Sequence, residues 1–240
     1  MNDALGSALD WALGSPLLWL PATLLAFHAG TMLNKRAGGF PLVNPVLIAM
    51  LILIGALLAT GTDYATYFEG AKAIHLLLGP ATVALAVPLY ANFHHILRSA
   101  LPMGAGIAVG SFIAAGSAAA IAHFLGADDA LALTLAVKSI TAPIAMGTAE
   151  QIGGIPALAA IFAVLTGVTG TVLFPGVLKA MRIKDWRAIG LAAGVTAHGQ
   201  GTARALAMNE TAGAFSGLAM GLNALFTAIW LPILVSFLLG

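Results

Sequence analysis

Polar and charged side chains occur in three otherwise apolar stretches of this 240-residue chain, and each stretch also contains proline or glycine. Arg204 stands out among them, because a guanidinium inside an apolar segment is costly and usually faces a cavity or a partner. Its planar fork can grip a carboxylate through two hydrogen bonds, which suits a small organic acid as ligand. The structural alternative for Arg204 is an ion pair with Glu150 or Glu210.

His198 and the residues around it could complete such a ligand site. Gly199 and Gly201 leave space beside the imidazole, which titrates near neutrality and would suit proton coupling or donation to a carboxylate. The alternative is a packing histidine whose hydrogen bonds are satisfied internally. Other side chains predicted to contact the substrate are Gln200, Thr202, Thr141, Ser139, Thr82 and Asn92. For each hydroxyl, the alternative is a hydrogen bond back to a helix carbonyl.

Three further charged residues have more than one interpretation. Glu150 could bind a proton or sodium, or neutralise Arg204 or Lys138. Lys138 could bind an anion, or extend its long stem to a nearby membrane interface. Glu210 could join an ion pair, and Asn223 is a secondary polar candidate in the last apolar segment.

Proline and glycine are expected to interrupt the helices in the same three stretches. Proline deletes a backbone donor and clashes with the preceding turn, while glycine loses the most entropy in a helix. In hydrocarbon the backbone groups freed by a break must be satisfied, so such breaks face protein or a watery cavity. The predicted breaks are at Pro80, Pro88, Pro143, Gly199 and Gly201.

The composition excludes a water-soluble domain. Hydrophobic residues make up 60% of the chain and charged residues 8%, against about 45–50% and about 25% in soluble domains. The mean hydropathy of +0.99 indicates a bilayer as solvent. A net charge of +1 does not suggest nucleic acid as a partner, and the lack of cysteine excludes thiol chemistry. Enzyme motifs are also lacking, so we expect neither an enzyme nor a cofactor or metal protein.

The apolar stretches predict an all-α polytopic membrane protein with about seven or eight transmembrane segments. They lie at about 16–33, 42–60, 72–97, 100–124, 129–151, 155–179, 188–208 and 212–239. We interpret residues 1–68 as scaffold helices, and 69–151 and 152–240 as repeat-like units with broken helices. A short motif at 141–149 recurs at 196–203, and paired interrupted segments are typical of a transporter's midplane site.

The basic residues indicate that one segment does not cross the membrane. Lys35, Arg36, Arg98 and the cluster at 179–187 should all lie on the cytoplasmic side. If every segment crossed once, that cluster would lie outside. We therefore expect 129–151 to enter and leave on one side, as a re-entrant element around its break.

Three segments together resemble a known family. They are Leu78-Gly79-Pro80-Ala81-Thr82-Val83-Ala84-Leu85-Ala86-Val87-Pro88-Leu89-Tyr90, Lys138-Ser139-Ile140-Thr141-Ala142-Pro143-Ile144-Ala145 and His198-Gly199-Gln200-Gly201-Thr202-Ala203-Arg204-Ala205. In this order and spacing they resemble the LrgB/CidB family over nearly the whole chain. The chain is also similar to the C-terminal half of the plant plastidial glycolate/glycerate translocator, whose N-terminal half resembles LrgA/CidA.

This resemblance implies one of two functions in the bacterial inner membrane. The first is a carrier for small 2-hydroxy or 2-oxo monocarboxylates such as glycolate, glycerate and pyruvate, working by alternating access and optionally coupled to protons. The second is a membrane protein that accompanies a holin-like LrgA/CidA partner and modulates murein hydrolase export and cell lysis. Costly helix breaks beside polar groups favour a defined binding site, and hence the carrier. A homo-oligomer, as a dimer, is expected because a moving bundle needs a scaffold.

Overall fold

Helices and short connections make up the described part of the chain in the computed structural model. The described residues are 15–38, 40, 43–77, 80, 83–84, 86–91 and 93–239. All regular secondary structure among them is helical, which confirms the predicted all-α class. The chain divides into two compact units, residues 1–84 and 85–240. The repeat-like units expected at 69–151 and 152–240 stay a prediction.

The first unit has a helical core built on one buried tryptophan. Its helices are α1 Pro16–Arg36, α2 Pro45–Thr60 and α3 Tyr64–Leu76. The side chain of Asn44 caps α2 by accepting hydrogen bonds from the backbone N–H groups of Val46 and Leu47. Trp19 of α1 is buried and meets Tyr67 of α3 edge-on, with ring centroids 5.8 Å apart.

The second unit contains the longest apolar helices. Its helices are α4 Ala86–Ala91, α5 Phe93–Arg98, α6 Ala100–Phe124, α7 Asp129–Ala136, α8 Ala142–Gln151, α9 Pro156–Ala180, α10 Trp186–Met208 and α11 Glu210–Leu239. By length and composition, four helices of the described chain can cross a membrane: Leu17–Arg36, Ala100–Phe124, Pro156–Ala180 and Glu210–Phe237. Where the structure describes them, the remaining predicted segments contain shorter helices or helices that fold back on themselves.

The segment expected to be re-entrant does fold back. The side chain of Asp128 caps the start of α7 by accepting a hydrogen bond from the N–H of Leu131 at 2.8 Å. Thr134, less than two turns further along, accepts a hydrogen bond from the N–H of Ile155 at 2.7 Å. Because Ile155 follows the end of α8, α7 and α8 are the two arms of a hairpin. We call it hairpin A, and its tip comprises residues 137–141.

Helix α10 also reverses direction, at His198, where the backbone has φ 38° and ψ −125°. A β-carbon on Gly201 would collide with the carbonyl oxygen of Ala193, although eight residues span about 12 Å in a straight helix. Residues 186–197 and 199–208 are therefore the arms of a second hairpin, hairpin B, with His198 at its tip. The sequence predicts an interruption here, but not the reversal, because a 23-residue segment also fits a simple crossing.

Glycines let hairpin B pack closely against α11. Ser216 meets both arms: its carbonyl oxygen blocks a β-carbon at Gly194, and its hydroxyl oxygen lies 2.9 Å from that of Thr202. One residue can touch both positions only because the chain reverses between them. Gly190 makes the same close approach one turn earlier, against the carbonyl oxygen of Ala212.

The two hairpins have their bases at opposite ends of α9. Hairpin A ends just before α9 begins, and hairpin B starts after the short connection that follows α9. With its 25 residues, α9 is about 37 Å long, while the hairpin arms reach only about 12–18 Å. The two tips therefore meet near the middle of α9.

We expect Gly194→Ala to destabilise the protein by about 1–3 kcal/mol, the usual cost of overpacking. The added methyl would collide with backbone of α11 and lie 2.9 Å from the β-carbon of Ala219. Gly221→Ala in α11 is the matched control, because a β-carbon there meets nothing within 4 Å. Thermal unfolding in detergent measures both variants. Equal unfolding temperatures would contradict the packing of hairpin B on α11.

Single cysteines should report the course of hairpin A, since the chain has no cysteine of its own. In vesicles of one orientation, an impermeant maleimide should label Leu125→Cys, just before hairpin A, and Gln151→Cys, at its end, from the same side. Ala180→Cys, at the far end of α9, should be labelled from the opposite side. Labelling of positions 125 and 151 from opposite sides would show a crossing segment instead.

Candidate functional site

Both hairpins border a cavity of about 380 Å³ beside the middle of α9. Its polar lining residues are Lys138, Ser139, Thr166, Thr169 and Thr196. The first two lie at the tip of hairpin A, and Thr196 lies two residues before the tip of hairpin B. The rest of the wall is apolar or small. A volume of this size is at the small end of ligand pockets.

Lys138 supplies the positive charge of the cavity. Its side chain is half-buried, and its ammonium donates a hydrogen bond to the hydroxyl of Ser139 at 3.1 Å. In the described part of the chain, no carboxylate lies within ion-pair distance of this ammonium. A partly buried ammonium without a carboxylate partner is stabilised when an anion binds beside it. The arrangement therefore favours a small anion as ligand.

The helix breaks place oriented backbone groups near this charge. The N–H groups in the first turn of an α-helix have no partner within the helix. Helix α8 starts at the tip of hairpin A, where Thr141 forms no side-chain cap. The second arm of hairpin B likewise starts at its tip. Two helix N-termini thus bring partial positive charge to the region where the tips meet.

Asn223 of α11 joins the two tips. Its side-chain amide donates to the carbonyl oxygens of Ser139 at 3.1 Å and Val195 at 3.4 Å, and the residue is 1% exposed. The Ser139 carbonyl lies in the tip of hairpin A, and the Val195 carbonyl lies near the end of the first arm of hairpin B. Asn223 therefore satisfies one carbonyl from each hairpin. From the sequence, Asn223 is only a secondary candidate, because a single asparagine in an apolar helix belongs to no recognisable motif.

His198 fastens the tip of hairpin B to α9. Its Nε2 lies 2.9 Å from the carbonyl oxygen of Ala163, and because a carbonyl only accepts, Nε2 carries the hydrogen. The amide nitrogen of Gln200 reaches the carbonyl oxygen of Val164 at 3.4 Å. Gly167 makes room for both, since a β-carbon there would lie 2.7 Å from the imidazole. This geometry corresponds to the packing alternative for His198.

Thr202 stabilises the tip of hairpin B by hydrogen bonds of its side chain. Its hydroxyl donates to the carbonyl oxygen of His198 at 2.9 Å. Because that hydrogen is already used, Ser216 is the donor in the 2.9 Å contact between the two hydroxyls. Both side chains are buried. Thr202 thus holds the shape of the tip and is not among the cavity-lining residues.

Arg204 lies on an exposed face of hairpin B, six residues beyond the tip. Six helical residues carry it about 9 Å back towards the base, and it does not line the cavity. Glu150 and Glu210 are exposed as well. Among the described residues, neither carboxylate forms an ion pair with Arg204 or with Lys138. The structure brings Lys138 and Ser139 to the cavity, and leaves these three charged residues outside it.

The other predicted site residues have varied positions. Thr82 and Asn92 lie outside the described residues. Pro80 is helical and exposed, Pro88 falls within α4, and Pro143 is the second residue of α8, directly after the break. Within the described ranges, no group of three or more histidine or acidic residues is placed to hold a metal ion. Thr166 and Thr169 line the cavity but were not predicted, because hydroxyls inside an unbroken helix give no signal in the sequence.

Fold and site together define an all-helical membrane protein in which two hairpins from opposite ends of α9 meet beside a largely apolar cavity that one lysine and several hydroxyls also line. The chain belongs to the LrgB-like family, whose model matches residues 23–237. This confirms the resemblance carried by the three sequence segments.

Relatives of known sequence match almost the full length of the chain. The uncharacterized protein YwbG of Bacillus subtilis (strain 168) is 39% identical over 218 residues, covering 90% of this chain and 96% of the relative. The antiholin-like protein LrgB of Bacillus mycoides (strain KBAB4) is 30% identical over 224 residues, covering 93% of this chain and 97% of the relative. No solved structure matches the chain.

Replacing Asn223 with alanine should destabilise the meeting point of the hairpins. The change leaves two buried carbonyls without this donor, at a cost of about 1–3 kcal/mol for each group left unpaired. Thr196→Ala is the control, since the Thr196 hydroxyl only bonds back to the carbonyl of Ala192 at 2.7 Å. Thermal unfolding should show a clear loss for Asn223→Ala and little change for the control. Equal effects would mean that Asn223 does not hold the tips.

Proposed function

We propose that this protein is a carrier for small carboxylates of the 2-hydroxy and 2-oxo monocarboxylate class, which includes glycolate, glycerate and pyruvate. One observation carries the proposal: the Lys138 ammonium, with no carboxylate partner among the described residues, lines a cavity where two opposed hairpin tips meet. Interrupted helices that meet near mid-membrane, with N-termini facing the site, are a recurrent design for carriers of anionic substrates.

Lys138 and Ser139 bind the carboxylate in this account. The ammonium supplies the charge and the hydroxyl, already 3.1 Å away, supplies a second donor. Three hydroxyls on the facing elements form hydrogen bonds with the hydroxyl or keto oxygen of the substrate. They belong to Thr166, Thr169 and Thr196. His198, Gln200 and Thr202 are positioning residues that hold the tip of hairpin B in place.

Alternating access follows from the opposed entry of the hairpins. Each hairpin separates the cavity from one end of the unit, so withdrawing either tip opens the cavity to that end alone. The basic cluster at 179–187 belongs on the cytoplasmic side, which makes hairpin B the cytoplasmic barrier in a bacterial inner membrane. A homodimer completes the proposal, because a moving hairpin needs a stationary scaffold.

A second candidate function is favoured by the names of relatives. Several Bacillus proteins that are 30% identical over 224 residues carry the name antiholin-like protein LrgB. In that role the protein would act with a small LrgA-like membrane partner and modulate murein hydrolase export and lysis. These names support the antiholin role more directly than the carrier role, whereas the cavity with its unpaired Lys138 ammonium supports the carrier.

Uptake into proteoliposomes separates the two functions. Wild-type protein alone should take up labelled glycolate or pyruvate saturably, and faster with a counter-substrate inside. Lys138→Gln removes the ammonium and should lower uptake at limiting substrate at least tenfold, since a charged hydrogen bond contributes about 1.5–3 kcal/mol. Lys72→Gln, a change at an exposed lysine of α3, is the matched control and should transport normally.

Arg204→Gln tests the carboxylate clamp that the sequence alone suggests. We expect it to retain uptake, because Arg204 lies outside the cavity. Loss of uptake in Arg204→Gln, together with full uptake in Lys138→Gln, would show that Arg204 and not Lys138 binds the carboxylate. An unsaturable leak, or uptake only after an LrgA-like protein is added, would favour the second function.

A further inference from the structure

A second cavity, of about 860 Å³, lies where α9 ends and hairpin B begins. Three of its lining residues are basic: Lys179, Arg182 and Lys184. The remaining lining residues are apolar or aromatic, namely Pro175, Leu178, Ile183, Trp186, Ile189 and Met208. Ile189 lies near the start of hairpin B and Met208 at its end, so the cavity touches both arms at the base of that hairpin.

None of the three cations forms an ion pair in the described part of the chain. Among the described residues, neither lysine nor Arg182 has a carboxylate within ion-pair distance. Asp185 is the carboxylate nearest in sequence, and it is held by Arg187 at 2.6 Å. That hydrogen bond lowers the pKa of Asp185, so the carboxylate stays ionised and paired with Arg187. The cavity therefore presents uncompensated positive charge beside apolar surface.

Arg182 occupies a backbone position that usually belongs to glycine. Its φ is 58°, in the left-handed region. Its N–H bonds to the carbonyl oxygen of Lys179 at 3.0 Å, and the N–H of Ile183 bonds to that of Leu178 at 2.9 Å. This pair of hydrogen bonds is the Schellman helix end, in which glycine avoids the strain of a β-carbon. An arginine here places a cation at the helix end in spite of that strain.

The depth of the cavity matches the surface of a bilayer. Helix α9 is about 37 Å long, somewhat longer than the roughly 30 Å hydrocarbon core, so its last residues reach the head-group region. Trp186, 40% exposed, is the residue type enriched at that depth. Basic pockets between membrane helices at this level bind phosphate head groups of anionic lipids.

We propose that this cavity binds an anionic glycerophospholipid. Its phosphate lies among Lys179, Arg182 and Lys184, and an acyl chain lies along the apolar wall that includes Ile189 and Met208. Because the lipid contacts the end of α9 and both arms of hairpin B, it stabilises the base of that hairpin. The proposal does not depend on what the protein transports.

The test compares phosphatidylglycerol with phosphatidylcholine on the purified full-length protein in neutral detergent, by native mass spectrometry. Wild type should retain phosphatidylglycerol in preference to phosphatidylcholine. Lys179→Gln/Lys184→Gln should lose that preference by about fivefold per cation removed. Lys35→Gln/Arg36→Gln, which removes the same charge at the end of α1, should keep it.

Arg182→Gly removes one cation and is expected to leave the fold stable. A loss of lipid binding in this variant therefore does not reflect misfolding. Glycine relieves the backbone strain at this position, so the thermal unfolding temperature in phosphatidylcholine should not fall. The preference for phosphatidylglycerol should fall about fivefold. An unchanged preference in Arg182→Gly and in the double variant would overturn the proposal. So would inorganic phosphate raising the unfolding temperature as much as phosphatidylglycerol, because the site would then be one for a soluble anion.

Discussion

Backbone groups released at a helix break must find partners when no water is available, and the second unit is organised around this requirement. At the two hairpin tips, side chains of α11 and of hairpin B itself supply those partners. Asn223 of α11 donates to one carbonyl from each hairpin, and Thr202 donates to the carbonyl of His198. Without these donors, the carbonyls at the tips would be left unpaired, at a cost of about 1–3 kcal/mol each. The polar groups at the hairpin tips therefore have a structural role, and the cavity lies beside them.

Two reversals of the chain give the unit its functional geometry. Two hairpins from opposite ends of α9 bring their tips together beside one cavity, which a single hairpin could not do. The close approach of hairpin B to α11 depends on Gly190 and Gly194, where a β-carbon would meet backbone atoms. The same tight packing keeps the tip of hairpin B beside Lys138 and the threonines of α9.

Much of this fold follows from the sequence, because proline, glycine and charge carry local signals. The breaks near Pro143 and Gly199 are predicted and present, and 129–151 folds back on itself as a re-entrant element would. Its entry and exit on one side of the membrane stay a prediction. The reversal at His198 is not predictable in the same way, since it depends on contacts such as Gly201 with Ala193 that no periodicity reports. That reversal also moves Arg204 away from the tip. From the sequence alone, Arg204 is the first candidate because it is a charged residue inside an apolar segment. In the structure, the charged residue that lines the cavity is Lys138.

The proposed lipid site and the proposed carboxylate site lie at different parts of hairpin B. One lies at the base of hairpin B, where basic residues face the head-group region, and the other at its tip. An anionic lipid at the base would stabilise hairpin B without touching the substrate.

The central claim is that the cavity at the hairpin tips binds a small carboxylate through Lys138. It is tested most directly by placing a single cysteine at Thr166, which lines the cavity, and measuring its rate of modification by a small thiol reagent. The account predicts that glycolate or pyruvate slows modification saturably, and that this protection disappears when Lys138 is also changed to glutamine. Modification that no small carboxylate slows, or protection that persists without Lys138, would contradict it.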